Sequence, residues 1–140
     1  MRRLRRKCAG VMRAIDTNIL VRYLTRDDPD QALRARRLIE ANRIFVPVTV
    51  ILETEWVLRN AYGFPFRDVA HALRNFCGLE NIKIESAELV FRALADADAG
   101  MDFADALHLS QATHCEEFCT FDRKLIRRAL AAGYDRVREP

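Results

Sequence analysis

Short β-branched runs alternate along this chain with longer stretches whose apolar residues recur every three or four positions. The first rhythm is that of buried strands, and the second that of helices with one covered face. Arg13-Ala14-Ile15 reads as a brief strand running into Asp16, and Thr17 is expected to cap a helix reaching about Arg26 with Ile19, Leu20, Tyr23 and Leu24 inward. Asp27-Asp28-Pro29-Asp30 is a turn, after which a helix to about Asn42 buries Ala32, Ala35, Leu38 and Ile39. Ile44 to Val48 is apolar and short, a buried strand, and Thr49 is expected to cap a helix ended by Gly63 and Pro65. Another helix, Pro65 to Cys77, turns Val69, Leu73 and Phe76 inward. Asn81 to Ile84 alternates as a strand, and Ser86 is expected to cap a helix to about Ala97. A helix opening at Asp102 runs to about His114, a strand spans Glu117 to Thr120, and Asp122 or its neighbour opens a helix closed by Gly133. Asp135 to Arg138 completes the series as a last strand.

Strands and helices in nearly strict alternation imply parallel crossovers and a sheet covered on both faces, one doubly wound α/β domain. In such sheets ligands bind at the carboxyl ends of the strands. Asp16 and Asp122 fall there. The 140 residues suffice for one core, and half of them are hydrophobic. No apolar run approaches a membrane span or a secretory signal, so a cytoplasmic protein is expected. Cys8, Cys77, Cys115 and Cys119 show no paired spacing, which favours reduced thiols over disulfides or structural zinc. The net charge of +3 misleads: Arg2, Arg3, Arg5, Arg6 and Lys7 carry five positive charges, and without them the chain stands at −2. Residues 1–11 read as a basic extension, with Met12 as the expected start of a domain spanning residues 12–140.

Acids recur at strand ends and helix starts: Asp16, Glu53, Asp105 and Asp122, with Asp102 as a fifth. Asp102 at the N-cap and Asp105 three residues on share a helical face. Glu53 lies in a largely apolar helix and shares a face with Trp56, where an unpaired carboxylate is costly to bury; Glu55, on another face, is expected in solvent. Each acid alone has a bland reading as a cap or a helix-dipole partner. Four converging carboxylates would repel and raise one another's pKa unless a cation neutralised them. Oxygen-only donors favour Mg²⁺ or Mn²⁺ over zinc, and one or two such ions suit phosphodiester hydrolysis.

The blocks Ile15-Asp-Thr-Asn-Ile-Leu20, Glu53-Thr-Glu-Trp-Val-Leu-Arg59, Asp102-Phe-Ala-Asp-Ala-Leu107 and Thr120-Phe-Asp-Arg-Lys-Leu125 resemble those of PIN-domain proteins. The nearest branch is the VapC-type toxin ribonucleases of bacterial toxin–antitoxin pairs. The resemblance runs from Met12 to about Val137. It implies a three-layer α/β/α fold with a central, mostly parallel sheet, and a Mg²⁺- or Mn²⁺-dependent endoribonuclease. By position Asp16, Glu53, Asp105 and Asp122 match the family's acidic quartet, Asp102 an auxiliary acid, and Thr17 and Thr120 the polar positions beside them. It also implies a homodimer and a small VapB-like antitoxin. The eleven-residue extension is the departure from the family pattern.

Other residues keep their ordinary roles. His108 is expected in the core or just below the surface, Trp56 in the core or a dimer contact, and Tyr23 and Phe66 in apolar packing. Arg22 and Arg26, or Lys124, Arg127 and Arg128, are candidate phosphate contacts whose default is a solvated helix face. Two other readings remain: a PIN scaffold that binds RNA or protein without cleaving, and a phosphatase of the haloacid dehalogenase kind. The latter needs a second Asp two residues after the first, where this chain has Asn18.

Overall fold

The computed structural model describes residues 11–140, and the basic segment expected at the start of the chain lies almost wholly outside them. The chain is α/β with parallel strand pairing throughout the described residues, and it divides into two compact units meeting at Glu85 and Ser86.

The first unit carries strands β1 (Met12–Ala14), β2 (Arg43–Val46) and β3 (Ile82–Ile84), hydrogen-bonded in that order. Arg13 pairs with Ile44, and Phe45 with Lys83. The two connections contain helices α1 (Thr17–Thr25) and α2 (Pro29–Ala41), then α3 (Val48–Asn60) and α4 (Phe66–Cys77). Ile44 and Val46 on the middle strand are wholly buried, as a β-branched run between two neighbours should be. Leu20, Ile39, Ile51, Leu73 and Phe76 complete this core. Tyr23 packs edge-on against Phe76, with ring centroids 5.7 Å apart, so its apolar role holds. Cys77 is buried, and loss of solvation pushes its thiol up to about 12; Cys115 and Cys119 are exposed and free.

The second unit holds α5 (Ala87–Asp98), α6 (Phe103–Gln111), β4 (Phe118–Cys119), α7 (Arg123–Ala131) and β5 (Val137–Arg138), with β4 and β5 paired in parallel. Val90, Ala93 and Leu94 of α5 and Phe103, Ala106 and Leu107 of α6 are buried. Between these helices Gly100 adopts φ +114, a conformation that a side chain strains. A Cβ there would lie 2.7 Å from the Arg128 guanidinium.

Several local expectations are corrected. Asp16, not Thr17, caps α1, and Thr17 is the first helical residue. Helix α3 starts at Val48 behind Pro47, whose fixed φ suits a helix start, so Thr49 caps nothing. Ser86 is at its predicted cap but in a left-handed conformation, with no side-chain bond. Helix α6 ends at Gln111 rather than His114. Glu55 is buried, at 1 % exposure, because Arg59 one turn on donates to it at 2.6 Å and its neighbours on that face are apolar. Glu53 is exposed, and Trp56 is 57 % exposed rather than in the core.

Next to Glu55, the Thr54 hydroxyl is fully buried without a hydrogen-bond partner among the described residues. Such an orphan weakens the folded state, and valine matches threonine in shape without the hydroxyl. Thr54→Val is therefore expected to raise unfolding stability by about 1 kcal/mol in urea titration. A loss of stability would show that the hydroxyl is satisfied.

Candidate active site

In the first unit the site begins where β1 ends. Ile15 still donates to Phe45 O (3.3 Å), as if the strand continued, and Asp16 then stops it with an extended backbone. The first N–H groups of a helix lack intrahelical acceptors, and Asp16 Oδ1 takes the one from Ile19 at 3.0 Å. The cap uses one carboxylate oxygen and leaves Oδ2 for another role. Helix α3 packs against α1, and Glu53 on its second turn faces the same groove as Asp16, Thr17 and Asn18. This groove has a volume of about 530 Å³, with Val50 and Val57 flanking Glu53.

Arg22 also lines the groove, yet its charge is committed elsewhere. Its Nη1 donates to Asp27 Oδ1 at 3.0 Å and to the Tyr62 hydroxyl at 3.0 Å, and Tyr62 donates to Asp27 Oδ2 at 2.6 Å. The Tyr62 hydrogen bond leads the effects that hold the Asp27 carboxyl below its ordinary value, with Thr25 and Arg22 assisting against a desolvation that opposes them. Asp16 and Glu53 thus share a groove with no ion pair of their own among the described residues.

The second unit holds the other acids. Asp102 caps α6 and accepts the Asp105 N–H at 3.2 Å, as the spacing predicts. Asp122 caps α7, its Oδ1 accepting from Leu125 at 3.1 Å. Thr120 Oγ1 accepts the Asp122 N–H at 3.0 Å and so sets the turn that presents this carboxylate. Asp105 makes no cap and no ion pair among the described residues. Its pKa is raised, first by desolvation, then by the charge of Asp102 and, more weakly, of Asp122, while His108 acts in the opposite direction. His108 is exposed rather than in the core or below the surface, because it lies on the polar face of α6 one turn beyond Asp105.

The structure thus brings Asp16 and Glu53 onto one groove, and Asp102 and Asp122 each within electrostatic reach of Asp105. Among the described residues no three His, Cys, Asp or Glu side chains stand close enough to form a ready cage for a metal ion. The chemistry of the donors nevertheless fits a hard divalent cation: they are carboxylates alone, and Asp105 is already under like-charge repulsion that a cation would relieve. Sequence reasoning missed Tyr62 and Asp27 as a pair. They are 35 residues apart, and no local pattern links them.

Residues 14–130 match the PIN domain, and this chain belongs to that family. PIN domains are generally nucleases that use divalent metal ions, so the chain has a nuclease-type fold suited to acting on nucleic acid. No curated protein matches the chain in a sequence comparison. Among the described residues no helix is long and apolar enough to cross a membrane.

The raised pKa of Asp105 has a stability consequence whose sign is fixed. The native state binds this proton more tightly than the unfolded chain does, so its contribution to stability falls as pH rises from the ordinary value of 3.8 through the raised native one. Below that window the penalty is absent, and above it the penalty is fully present. In metal-free buffer Asp105→Asn is therefore expected to melt above the parent protein at pH 7, with the gap closing in acid. Equal melting temperatures at pH 7 would contradict the repulsion. Added Mg²⁺ is expected to stabilise the parent more than the variant.

Proposed function

We propose that this protein is a divalent-metal-dependent endoribonuclease of the VapC type, the toxin of a toxin–antitoxin pair. The observation that carries the reading is the PIN match across residues 14–130, the span in which Asp16, Glu53, Asp105 and Asp122 lie. Their lack of ion-pair partners among the described residues supports it, since four structural carboxylates would more often be paired. In this reading residues 12–140 act as a single cytoplasmic domain.

Asp16, Glu53, Asp105 and Asp122 are the residues that would hold Mg²⁺ or Mn²⁺, as one or two ions, with Asp102 auxiliary. When bound, such an ion acidifies a water and offsets charge at the scissile phosphate. The chain's own residues do the positioning. Capping bonds from Ile19 and Leu125 fix the Asp16 and Asp122 carboxylates, and Thr120 sets the turn before Asp122. Thr17, on the groove beside Asp16, orients ligands or water. Hydrolysis in line leaves a 3′-hydroxyl and a 5′-phosphate. The slight negative charge of the chain beyond residue 7 disfavours indiscriminate RNA binding and favours a defined RNA structure. A homodimer and a small VapB-like antitoxin that blocks the acidic groove complete the reading. The exposed Trp56 offers the dimer an apolar contact.

Cleavage of structured RNAs in Mg²⁺, beside Asp16→Asn and Glu53→Gln variants, tests the chemistry. Both variants are expected to lose at least a hundredfold in kcat, by the usual cost of removing an electrostatic catalytic group. Cleavage that survives in both variants, or that needs no divalent ion, would overturn the site. Growth arrest on expression, relieved by a co-encoded neighbour, is the expected outcome for a toxin, and normal growth would remove that role.

A further inference from the structure

Phe121 is 82 % exposed, the highest value among the large hydrophobic residues, and it directly precedes Asp122. Of the other exposed aromatics, Trp56 is 57 % exposed, Phe64 stacks on Tyr62 at 5.9 Å between centroids, and Phe91 is 36 % exposed. Phe121 has no ring contact among the described residues.

Its presentation is not slack. On one side Thr120 N–H donates to Arg138 O at 3.0 Å, which ties it to β5. On the other, Asp122 N–H donates to Thr120 Oγ1 at 3.0 Å and Asp122 Oδ1 caps α7. The backbone on both sides of Phe121 is pinned, and the ring stands in solvent directly before Asp122.

The charges that follow are also poorly explained by the fold alone. Arg123 and Lys124 occupy the first turn of α7, where the helix dipole disfavours cations. Arg123 is paired with Glu139 at 3.3 Å. Lys124 and Arg127 are exposed and have no ion pair among the described residues. They lie three and six residues beyond Phe121, on successive turns of one helix face.

An aromatic ring followed by two unpaired cations fits a polyanion that carries flat bases. It fits an apolar protein surface poorly, because the ring's chain neighbours are Thr120, Asp122, Arg123 and Lys124. We propose that Phe121 is a substrate-contacting residue that stacks on an unpaired base next to the scissile phosphate, while Lys124 and Arg127 hold adjacent phosphates. A base inside a duplex has both faces covered, so the partner is a single-stranded RNA segment. This proposal rests on the nuclease reading above, and it names the substrate feature that the site selects.

The test uses the full chain and a hairpin RNA with 2-aminopurine in an eight-nucleotide loop, beside a blunt duplex of the same stem. Binding is read first in EDTA, where cleavage cannot intervene. The wild type is expected to quench the loop fluorophore and to bind the duplex at least tenfold more weakly. Phe121→Ala and Phe121→Leu should each lose the quench and about tenfold in affinity, while Phe121→Trp keeps both. Phe121→Leu retains apolarity without a ring, so it separates stacking from apolar docking. Melting temperatures of all three variants should stay at that of the parent, since the ring is in solvent.

Cleavage in Mg²⁺ is then expected to show the loss chiefly in KM. Wild-type cleavage with unchanged quench and KM in Phe121→Leu overturns this proposal and leaves the nuclease reading standing. Normal quench and ring dependence without any cleavage would support the stacking surface and overturn the nuclease reading instead. If Phe121→Ala changes the oligomeric state and leaves RNA binding intact, the ring serves contact between copies, and the RNA proposal fails.

Discussion

Every helix start leaves N–H groups without intrahelical acceptors, and among the described residues that need is met four times with aspartate. Asp16, Asp28, Asp102 and Asp122 each accept from the third residue inside the helix they cap. Any of serine, threonine or asparagine would cap comparably. Aspartate adds a negative charge at the positive end of the helix dipole and a second oxygen that the cap does not use. A parallel strand that feeds a helix thereby delivers a fixed carboxylate just past its carboxyl end, as at Asp16. Capping and catalysis are not rivals at such a position; the first immobilises the group that the second needs.

The consequence is electrostatic. Asp105 is partly desolvated beside Asp102 and Asp122, and His108 gives it only partial relief. In the other unit Arg22 lies on the same groove as Asp16 and Glu53, but Asp27 and Tyr62 hold its guanidinium. A stable fold built for stability alone would pair such acids with lysine or arginine, as it pairs Glu55 with Arg59. The contrast between Glu53 and Glu55, two residues apart on one helix, separates a carboxylate kept available from one kept for the fold.

That pair also marks the limit of what patterns disclose. Helix α3 is apolar on most sides, so its sequence leaves the buried face ambiguous, and the reading chose Glu53 for burial when Glu55 is the buried one. The environmental argument for Glu53, burial beside Trp56, therefore fails, and what keeps it a candidate is its sequence block and its place on the groove with Asp16. Thr17 and Thr49 mislead for a related reason: a good capping residue competes with a neighbour that caps as well, and the backbone path decides between them. Where one signal stood alone, as with Asp102 before Asp105 or Pro29 after Asp28, the reading and the structure agree.

By itself the sequence determined the alternation of strands and helices, the apolar stripes of α2 and α4, and the acids at the end of β1 and the starts of α6 and α7. These follow from short-range physics: side-chain period, turn residues and capping chemistry act over a few positions. Only the tertiary structure decided that Tyr62 secures Asp27 across 35 residues, that Arg59 covers Glu55, and that Phe121 stands in solvent beside Asp122. Those depend on which faces meet once the chain has folded, and distances between such faces are not encoded in any local spacing.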